Sequence, residues 1–213
     1  MRNDGYADMA PQLCETIILA RESQRPVYIS AGGSKRHMIG RHCDAQLLNV
    51  STHRGIIDYQ PAELVITARA GTPLGELQNT LELHGQTLSF EPPRFDGTAT
   101  LGGTLACNLS GPARPWGGSI RDMVLGVKLI NGRGELLNFG GRVMKNVAGY
   151  DLSRLQAGAL GTLGILSEVS LKVLPRSEHT LHLSFEMTAR QAVQTMNQRA
   201  GEPKPLTGAF WLD

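Results

Sequence analysis

The sequence predicts an α+β protein, on two observations about its segments and one about its composition. Strand-like segments outnumber helical ones, with about eight strands and roughly three or four helices up to residue 175. Hairpin signals join several strands, so the chain lacks the regular alternation of a parallel βαβ sheet. Glycine contributes 25 of the 213 residues without a collagen-like period, which indicates many tight turns and close backbone contacts.

The composition is ordinary for a globular protein, with 41% hydrophobic residues, 19% charged residues and a net charge of +2. Because the chain has no run of Lys or Arg, nucleic acid is not an expected partner. Residues 1–12 lack the apolar core of a signal peptide, and no apolar run approaches the length of a membrane span. We therefore expect a cytoplasmic protein with no integral membrane segment.

The cysteines and histidines do not form a recognisable site in the sequence. Cys14, Cys43 and Cys107 are odd in number and widely spaced, which favours neither a disulfide framework nor a zinc site. Iron–sulfur clusters need clustered thiolates, so we expect none in this chain. Six scattered histidines predict no metal site, and no Ser/His/Asp or Cys/His set stands out, so catalytic residues stay unassigned.

The first part of the chain predicts one helix and four strands. Asp8 can cap a helix that runs to about Ser23, with Pro11 tolerated in its first turn. The apolar residues of its buried face, at helical spacing, are Met9, Leu13, Ile17 and Ala20. The strands predicted after it cover residues 26–30, 45–50, 56–59 and 63–69.

The second predicted helix begins with Thr72 as N-cap and Pro73 at the first helical position. Its buried stripe consists of Leu74, Leu77 and Leu81. Gly85 is a plausible C-cap, and we expect His84 on the surface.

The third part predicts a long strand over residues 120–130, a hairpin turn at Asn131-Gly132 and a return strand over residues 135–139. Asp151 then caps a short helix that ends near Gly158. The strand predicted next covers residues 165–174 and is closed by Pro175.

The last part predicts a strand over residues 181–186, a helix over residues 188–199 capped by Thr188, and a strand over residues 208–212. A strand–helix–strand unit that does not close a sheet is typical of the start of a second domain. We therefore expect a truncated domain over residues 176–213.

Three glycine-rich turns, at residues 31–35, 100–111 and 161–166, each lie beside a strand-like segment. Such turns let the backbone approach a ligand, and the helix predicted at residues 104–108 would point free N–H groups at an anion. No G-x-x-x-x-G-K-[ST] and no G-x-G-x-x-G motif occurs, which excludes a P-loop and disfavours a Rossmann site. A dinucleotide held by separate turns is consistent with this pattern.

The basic residues after the first turn allow two interpretations. Lys35, Arg36 and Arg41 can belong to a solvated loop. Alternatively, the N–H groups of residues 32–34 form an anion nest to which Lys35 adds positive charge. A glycine-rich turn is also a common structural device, so each turn taken alone leaves both alternatives open.

The order of several motifs carries a family resemblance. The motifs are Gly-Gly-Ser, Leu-Gly-Gly-Thr-x-x-x-Asn-x-Ser-Gly-Pro, Gly-Ser-x-Arg-Asp, Lys-Asn-x-x-Gly-Tyr-Asp-Leu and Gly-Thr-Leu-Gly-Ile. Over about residues 10–175 this order resembles FAD-linked oxidases of the vanillyl-alcohol-oxidase fold, with their PCMH-type FAD-binding domain. Residues 91–93, 111–122 and 143–155 are most similar to the FAD-binding subunits of bacterial glycolate oxidases.

The resemblance implies a fold, a domain organisation and a set of cofactor-binding residues. It implies an FAD-binding domain over residues 1–175, with α+β subdomains at about 1–60 and 61–175, followed by the start of an α+β cap. The residues that match the first pyrophosphate loop are Gly32, Gly33, Ser34 and Lys35. Those that match the second loop and the flavin side are Gly102, Gly103, Thr104, Asn108, Ser110 and Gly111, and those of the nucleotide turn are Gly164 and Ile165.

The resemblance also implies that FAD is bound without a covalent link. Many relatives attach the flavin through a His directly after the Gly-Gly pair, where this chain has Ser34. Others use a Cys before the second loop, where Thr98 or Thr100 stands. His37, three residues further on, is the remaining candidate for a link.

Other polar residues of the matching motifs have two readings each. Lys145, Asn146, Tyr150 and Asp151 can place polar groups near the flavin. Alternatively, Asp151 caps a helix and Tyr150 anchors a turn through its hydroxyl, which we favour. Arg114 and Trp116 can line the cofactor or an interface.

The resemblance implies that the chain serves oxidation of glycolate, or a related 2-hydroxy acid, to the 2-keto acid. Its partners would be a larger FAD-containing subunit and an iron–sulfur subunit, through which it could lie at the inner face of the cell membrane. Two alternatives are an FAD-holding assembly or relay subunit without substrate chemistry, and a stand-alone oxidase of another acid such as D-lactate. We expect the chain as given to bind FAD but not to oxidise glycolate alone.

Overall fold

The computed structural model describes residues 6–38, 44–141, 150–203 and 206–213. The helices are α1 (Ala10–Glu22), α2 (Leu74–Glu82), α3 (Leu101–Cys107), α4 (Arg114–Gly117), α5 (Ile120–Met123), α6 (Leu152–Leu155) and α7 (Ala189–Ala200). The strands are β1 (Val27–Ser30), β2 (Gln46–Asn49), β3 (Ile56–Gln60), β4 (Val65–Arg69), β5 (Gln86–Thr87), β6 (Val124–Ile130), β7 (Leu136–Gly140), β8 (Ile165–Lys172) and β9 (Leu174–Pro175). Helices beside mainly antiparallel strands confirm the α+β class.

A five-stranded antiparallel sheet, in the order β3-β4-β8-β6-β7, forms the centre of the fold. Strands β1 and β2 form a separate parallel pair, and β5 pairs with β9. Six of the eight residues of β8 are buried, because this central strand has neighbours on both edges and helices packed against it.

Two hydrophobic clusters hold these elements. We call the larger one the main core; it joins the sheet to α2 and α3 through residues such as Ile66, Leu77, Leu105, Val127 and Val169. We call the second the small cluster; its buried residues are Leu13, Val50, Ile130 and Ile165. The small cluster attaches α1, β1 and β2 to one end of β6 and β8.

Helix α1 confirms the first predicted helix, although its cap differs in detail. The Asp8 carboxylate accepts a hydrogen bond from the Ala10 N–H at 3.0 Å, while Met9 stands at the N-cap. Leu13 and Ala20 are buried and Ile17 packs against the small cluster, as the spacing predicts.

The start of α2 differs from the prediction at Thr72 and Pro73. The helix begins at Leu74 with Pro73 as N-cap, so Pro73 is not helical. The Thr72 hydroxyl instead accepts from the Gly55 N–H at 2.9 Å and donates to the Arg69 carbonyl at 2.7 Å. The Gly55 N–H lies just before β3 and the Arg69 carbonyl at the end of β4, so the hydroxyl bonds backbone groups at the ends of two strands and none in the helix. Leu74, Leu77 and Leu81 are buried, and His84 is exposed, as predicted.

The single strand predicted over residues 120–130 is wrong in its first third. Ser119 and Asp122 form a capping box at the start of the short helix α5, and β6 begins only at Val124. The predicted hairpin is present, but Gly134 rather than Gly132 takes the left-handed conformation, with φ +77°. The turn is longer than two residues, because the Asn131 N–H bonds the Glu135 carbonyl at 3.1 Å.

The end of the chain confirms the predicted helix but not the two predicted strands. Thr188 and Gln191 form a reciprocal capping box at the start of α7. Residues 181–186 and 208–212 are not strands in the structure. Their alternating or apolar sequence predicts extended backbone, but a strand also requires a hydrogen-bonded neighbour, which the described residues do not supply.

Candidate functional site

The three glycine-rich turns converge on one cleft between β1, α3 and the turn before β8. Residues 28–36 form one wall, and the opposite side comes from α3 and from the third turn. The lining residues outside that wall are Val50, Ala70, Thr100, Gly102, Gly103, Ala106, Cys107, Leu160, Gly161, Gly164 and Leu166. None of the described residues that line the cleft is acidic.

The first glycine turn is shaped by close contact on one side and open space on the other. A Cβ on Gly32 would overlap the Thr98 carbonyl oxygen, so this position needs glycine for packing. Gly33 has φ +69°, and a Cβ there would meet no atom within 4 Å. Because Gly33 has no side chain, it can adopt this left-handed backbone conformation, and the space beside it stays free.

Lys35 places a buried positive charge at the bottom of this turn. The residue is 5% exposed, and its ammonium donates to the Ser34 hydroxyl at 3.1 Å. It also lies 5.3 Å from the centre of the Phe95 ring. No carboxylate of the described residues pairs with it. Burial lowers the pKa of Lys35, an effect that negative charge on the nearby Cys107 sulfur opposes.

The second glycine turn is the first turn of α3, which corrects the helix predicted to start at Thr104. Thr100 is the N-cap, and its hydroxyl accepts from the Gly103 N–H at 3.3 Å. A Cβ on Gly103 would lie 3.8 Å from the Lys35 ammonium nitrogen. Cys107 is four residues further along, on the same helical face. The face of α3 that carries Gly103 and Cys107 therefore lies next to the Lys35 ammonium.

The segment that leads into the third turn, residues 158–160, is hydrogen-bonded to the C-terminal end of α3. The Gly158 N–H donates to the Leu105 carbonyl at 3.1 Å, and the Leu160 N–H donates to the Ala106 carbonyl at 2.9 Å. These bonds satisfy carbonyl groups that the end of a helix leaves open. Helix α3 is thus a rigid connection between the second and third turns.

The structure brings seven of the sequence-predicted site residues together in the cleft: Gly32, Gly33, Ser34, Lys35, Gly102, Gly103 and Gly164. The other five lie behind or beside it. The Thr104 hydroxyl is buried and donates to the Thr100 carbonyl at 2.8 Å. Ile165 is buried in the small cluster.

The remaining three residues continue away from the cleft beyond α3. Asn108 closes the helix in a left-handed conformation with φ +49°, and its buried Oδ1 has no hydrogen-bond partner among the described residues. The Ser110 hydroxyl accepts from the Ile120 N–H at 3.3 Å. Gly111 packs so closely on Glu91 that a Cβ would overlap the Glu91 carbonyl oxygen. Their role in binding stays a prediction.

Sequence reasoning missed several residues that line the cleft, among them Tyr28, Cys107 and Leu160. Cys107 could have been found by starting the helix at Leu101, because the spacing from Gly103 then places both residues on one face. Tyr28 and Leu160 carry no sequence signal that separates them from ordinary surface or core positions.

The motif residues with two readings are placed as follows. The Asp151 carboxylate accepts from the Arg154 N–H at 3.0 Å and caps α6, as favoured above. Tyr150 is 94% exposed. Lys145 and Asn146 lie outside the described residues, as do Arg41 and Cys43. Arg114 and Trp116, in α4, are not among the residues that line the cleft.

The cleft fits a cofactor that contains a diphosphate. Lys35 supplies a desolvated positive charge that has no carboxylate partner in the described part of the chain, and such a charge is costly to bury unless an anion pairs with it. Gly33 and Gly103 leave space beside that charge into which phosphate oxygens could fit. The lining combines this polar end with an apolar wall that includes Ile29, Val50 and Leu166, as in many cofactor sites.

The comparison with protein families agrees with this geometry. The model of the FAD-binding domain family matches residues 6–140. This range includes the first two glycine-rich turns and the strands from β1 to β7. The chain belongs to the FAD-binding domain family.

Three curated relatives sharpen this assignment. The chain is 47% identical over 206 residues to the glycolate oxidase subunit GlcE of Escherichia coli, covering 97% of this chain and 59% of that protein. It is 32% identical over 178 residues to the glycolate oxidase subunit GlcD of Bacillus subtilis, covering 81% of this chain and 37% of the relative. It is 27% identical over 180 residues to the D-lactate dehydrogenase of Anaerostipes hadrus, covering 83% of this chain and 37% of that relative. The chain thus spans between about a third and three fifths of these relatives.

The described residues contain neither a membrane-spanning helix nor a cluster of metal ligands. No helix there is long and apolar enough to cross a membrane. No group of three or more His, Cys, Asp or Glu side chains in the same residues could hold a metal ion.

Proposed function

We propose that this chain holds FAD non-covalently in the cleft and serves as the FAD-binding subunit of an oxidoreductase complex that converts glycolate to glyoxylate. The observation that carries the proposal is Lys35, a buried cation between two glycine turns that pairs with no carboxylate among the residues that the structure describes. The similarity to the E. coli glycolate oxidase subunit supports the choice of substrate. A larger flavin-containing subunit and an iron–sulfur subunit are the proposed partners.

The residues of the chain would act by binding and positioning. Lys35 would neutralise the diphosphate, and the main-chain N–H groups of Gly33 and Ser34 would donate to its oxygens. The Gly103 face of α3 would allow the phosphates to approach the helix without a side chain in the way. FAD, when bound, accepts two electrons from an organic substrate. The low-dielectric surroundings of Lys35 strengthen its attraction for the anion.

The cofactor assignment is tested by Gly103→Val, with Gly75→Val as the matched control. Both glycines are helical, but a Cβ on Gly75 meets nothing within 4 Å and lies in α2. A branched side chain on Gly103 would occupy the space next to Lys35. We expect Gly103→Val to lose bound FAD on purification, while Gly75→Val retains it. If both variants retain the full amount of bound FAD, the cleft is not the binding site.

The absence of a covalent link is tested by denaturing the purified protein in acid. Ser34 and Thr98 offer neither a ring nitrogen nor a thiolate, so we expect all flavin in the supernatant. Flavin that stays with the precipitated polypeptide would contradict the proposal, and loss of that fraction in His37→Ala would identify His37 as the attachment point.

Two alternatives concern substrate and role. Similarity to D-lactate dehydrogenases favours D-lactate as a second candidate substrate. In the assembled complex, anaerobic bleaching of flavin by glycolate but not by D-lactate would support our proposal. If Gly103→Val abolishes flavin in this subunit yet glycolate still bleaches the partner's flavin at the same rate, the subunit is an assembly or relay component. The predicted domain boundaries and the cytoplasmic location stay predictions.

A further inference from the structure

The loop of residues 94–98, between β5 and α3, has an unusual backbone. Phe95, Asp96 and Gly97 are three consecutive left-handed residues, with φ values of +44°, +55° and +81°. A left-handed conformation is disfavoured for a residue with a bulky side chain such as Phe. Such strain persists only where surrounding contacts enforce it.

The contacts of this loop lead to the first glycine turn. Gly32 packs directly against the Thr98 carbonyl oxygen. The Phe95 ring lies under the Lys35 ammonium, with 5.3 Å from the nitrogen to the ring centre. Phe95 is at the same time partly buried against the main core. The Phe95 ring therefore lies between the main core and the Lys35 ammonium. Among the described residues that line the cleft, Lys35 is the one buried cation.

We propose that Phe95 is a positioning residue for the cofactor: its ring face holds the Lys35 ammonium at the position above Gly103 where it meets the anionic part of the ligand. This inference rests on the proposed function, because it concerns the diphosphate end of FAD. The left-handed backbone of residues 95–97 accompanies this orientation of the ring.

The chemistry of the pair explains why an aromatic residue stands here rather than a carboxylate. A carboxylate beside Lys35 would neutralise the ammonium and compete with the phosphates for it. The negative face of an aromatic ring attracts the ammonium without cancelling its charge. Lys35 is consequently held in a buried place and is still free to pair with an anion.

The first experiment compares Phe95→Leu with Phe95→Tyr in the full chain. Leucine keeps much of the apolar volume but lacks the ring, whereas tyrosine keeps the ring face. A cation–π contact at a desolvated site is worth about tenfold in affinity. We expect Phe95→Leu to raise the Kd for FAD about tenfold and Phe95→Tyr to restore nearly the original value. Equal Kd values for all three proteins would overturn the proposal.

The control for backbone strain is Asp96→Gly. Asp96 is exposed and also left-handed, so glycine relieves strain next to Phe95 without touching Lys35. We expect a higher Tm and an unchanged Kd for FAD. If Asp96→Gly weakens FAD binding as much as Phe95→Leu does, general loop geometry rather than the ring sets the affinity, and the proposal fails.

A double-mutant cycle separates an effect through Lys35 from a general loss of packing. If Phe95 acts through Lys35, Phe95→Leu should change the Kd for FAD by less than about twofold in the Lys35→Met background. A full tenfold loss in that background would show that Phe95 acts independently of Lys35 and would contradict the proposal.

A measurement without cofactor keeps this inference separate from the proposed function. The ring current of Phe95 should shift the Cε protons of Lys35 upfield in the NMR spectrum of the free protein, and Phe95→Leu should remove that shift. If wild type shows this shift but binds no FAD, the proposed function fails while the Phe95–Lys35 contact stands. If FAD binds and the shift is missing, only the positioning role is refuted.

Discussion

The main core and the small cluster hold their parts of the molecule with very different amounts of buried surface. The main core joins the five strands of the central sheet to the three helices α2, α3 and α5, through residues such as Leu77, Leu105 and Val169, each almost fully buried. The small cluster attaches α1, β1 and β2 through Leu13, Val50, Ile130 and Ile165. The cleft lies between these two regions and is lined by both.

This difference predicts how a cofactor bound in the cleft would affect the stability of the fold. The wall formed by β1 and the first glycine turn rests on few buried contacts, whereas the α3 wall belongs to the main core. Regions with few buried contacts open at lower free energy than the core. A ligand that contacts both walls therefore adds most to the stability of the small-cluster side.

The largest expected effect tests the comparison directly through two leucine truncations. Leu77→Ala in the main core should lower the free energy of unfolding by about 2–5 kcal/mol, because it leaves a cavity in a fully packed site. Leu13→Ala in the small cluster should cost less, since Leu13 has fewer buried neighbours with which to lose contact. Chemical denaturation measures both values. Equal decreases in the free energy of unfolding would show that the two regions are equally well packed.

The second effect is stabilisation by FAD, which should be uneven across the molecule. At a free concentration near one hundred times Kd, binding adds about 2.7 kcal/mol to the folded state. Amide hydrogen exchange of α1 and β1 should slow markedly with FAD, while that of α2 should change little. Uniform slowing in all three elements would contradict a weakly attached small-cluster side.

The third effect is a pH dependence at the junction between the two regions. His53 is 1% exposed; its Nδ1 accepts from the Met9 N–H at 3.1 Å, and its Nε2 lies 2.9 Å from the Ser167 hydroxyl. Burial lowers the pKa of His53 below its usual value, although Asp8, 3.7 Å away, opposes this. The unfolded chain therefore binds the proton more readily, so stability should fall as pH drops below about 6.5.

The control for this pH effect is His53→Gln, which keeps a hydrogen-bonding side chain without a titratable ring. We expect a flatter Tm profile between about pH 7 and pH 5 in this variant. A profile as steep as that of the wild type would assign the acid sensitivity to other groups.

The smallest expected effect lies outside both clusters, in α7. Thr188→Ala removes a capping box and should cost about 1 kcal/mol of helix stability. Because α7 contributes one buried residue, Ala192, amide exchange in α7 should accelerate while the Kd for FAD stays unchanged. A weaker affinity for FAD would show that residues 189–200 communicate with the cleft.

The sequence by itself determined most of the local structure. Apolar periodicity located α1 and α2 with their buried leucines, and capping residues located α6 at Asp151 and α7 at Thr188. The motif order predicted the family and brought attention to the three glycine-rich turns. These signals are local, since a cap or a helical stripe is written in residues within a few positions of one another.

Only the tertiary structure decided the rest, because it depends on contacts between distant segments. The Thr72 hydroxyl bonds the backbone N–H of Gly55 instead of capping a helix, since the fold brings that partner to it from seventeen residues away. Residues 181–186 have the alternation of a strand but no neighbouring strand to pair with among the described residues. The contact of Phe95 with Lys35 joins loops that are sixty residues apart in the sequence, and no local pattern in either loop predicts it.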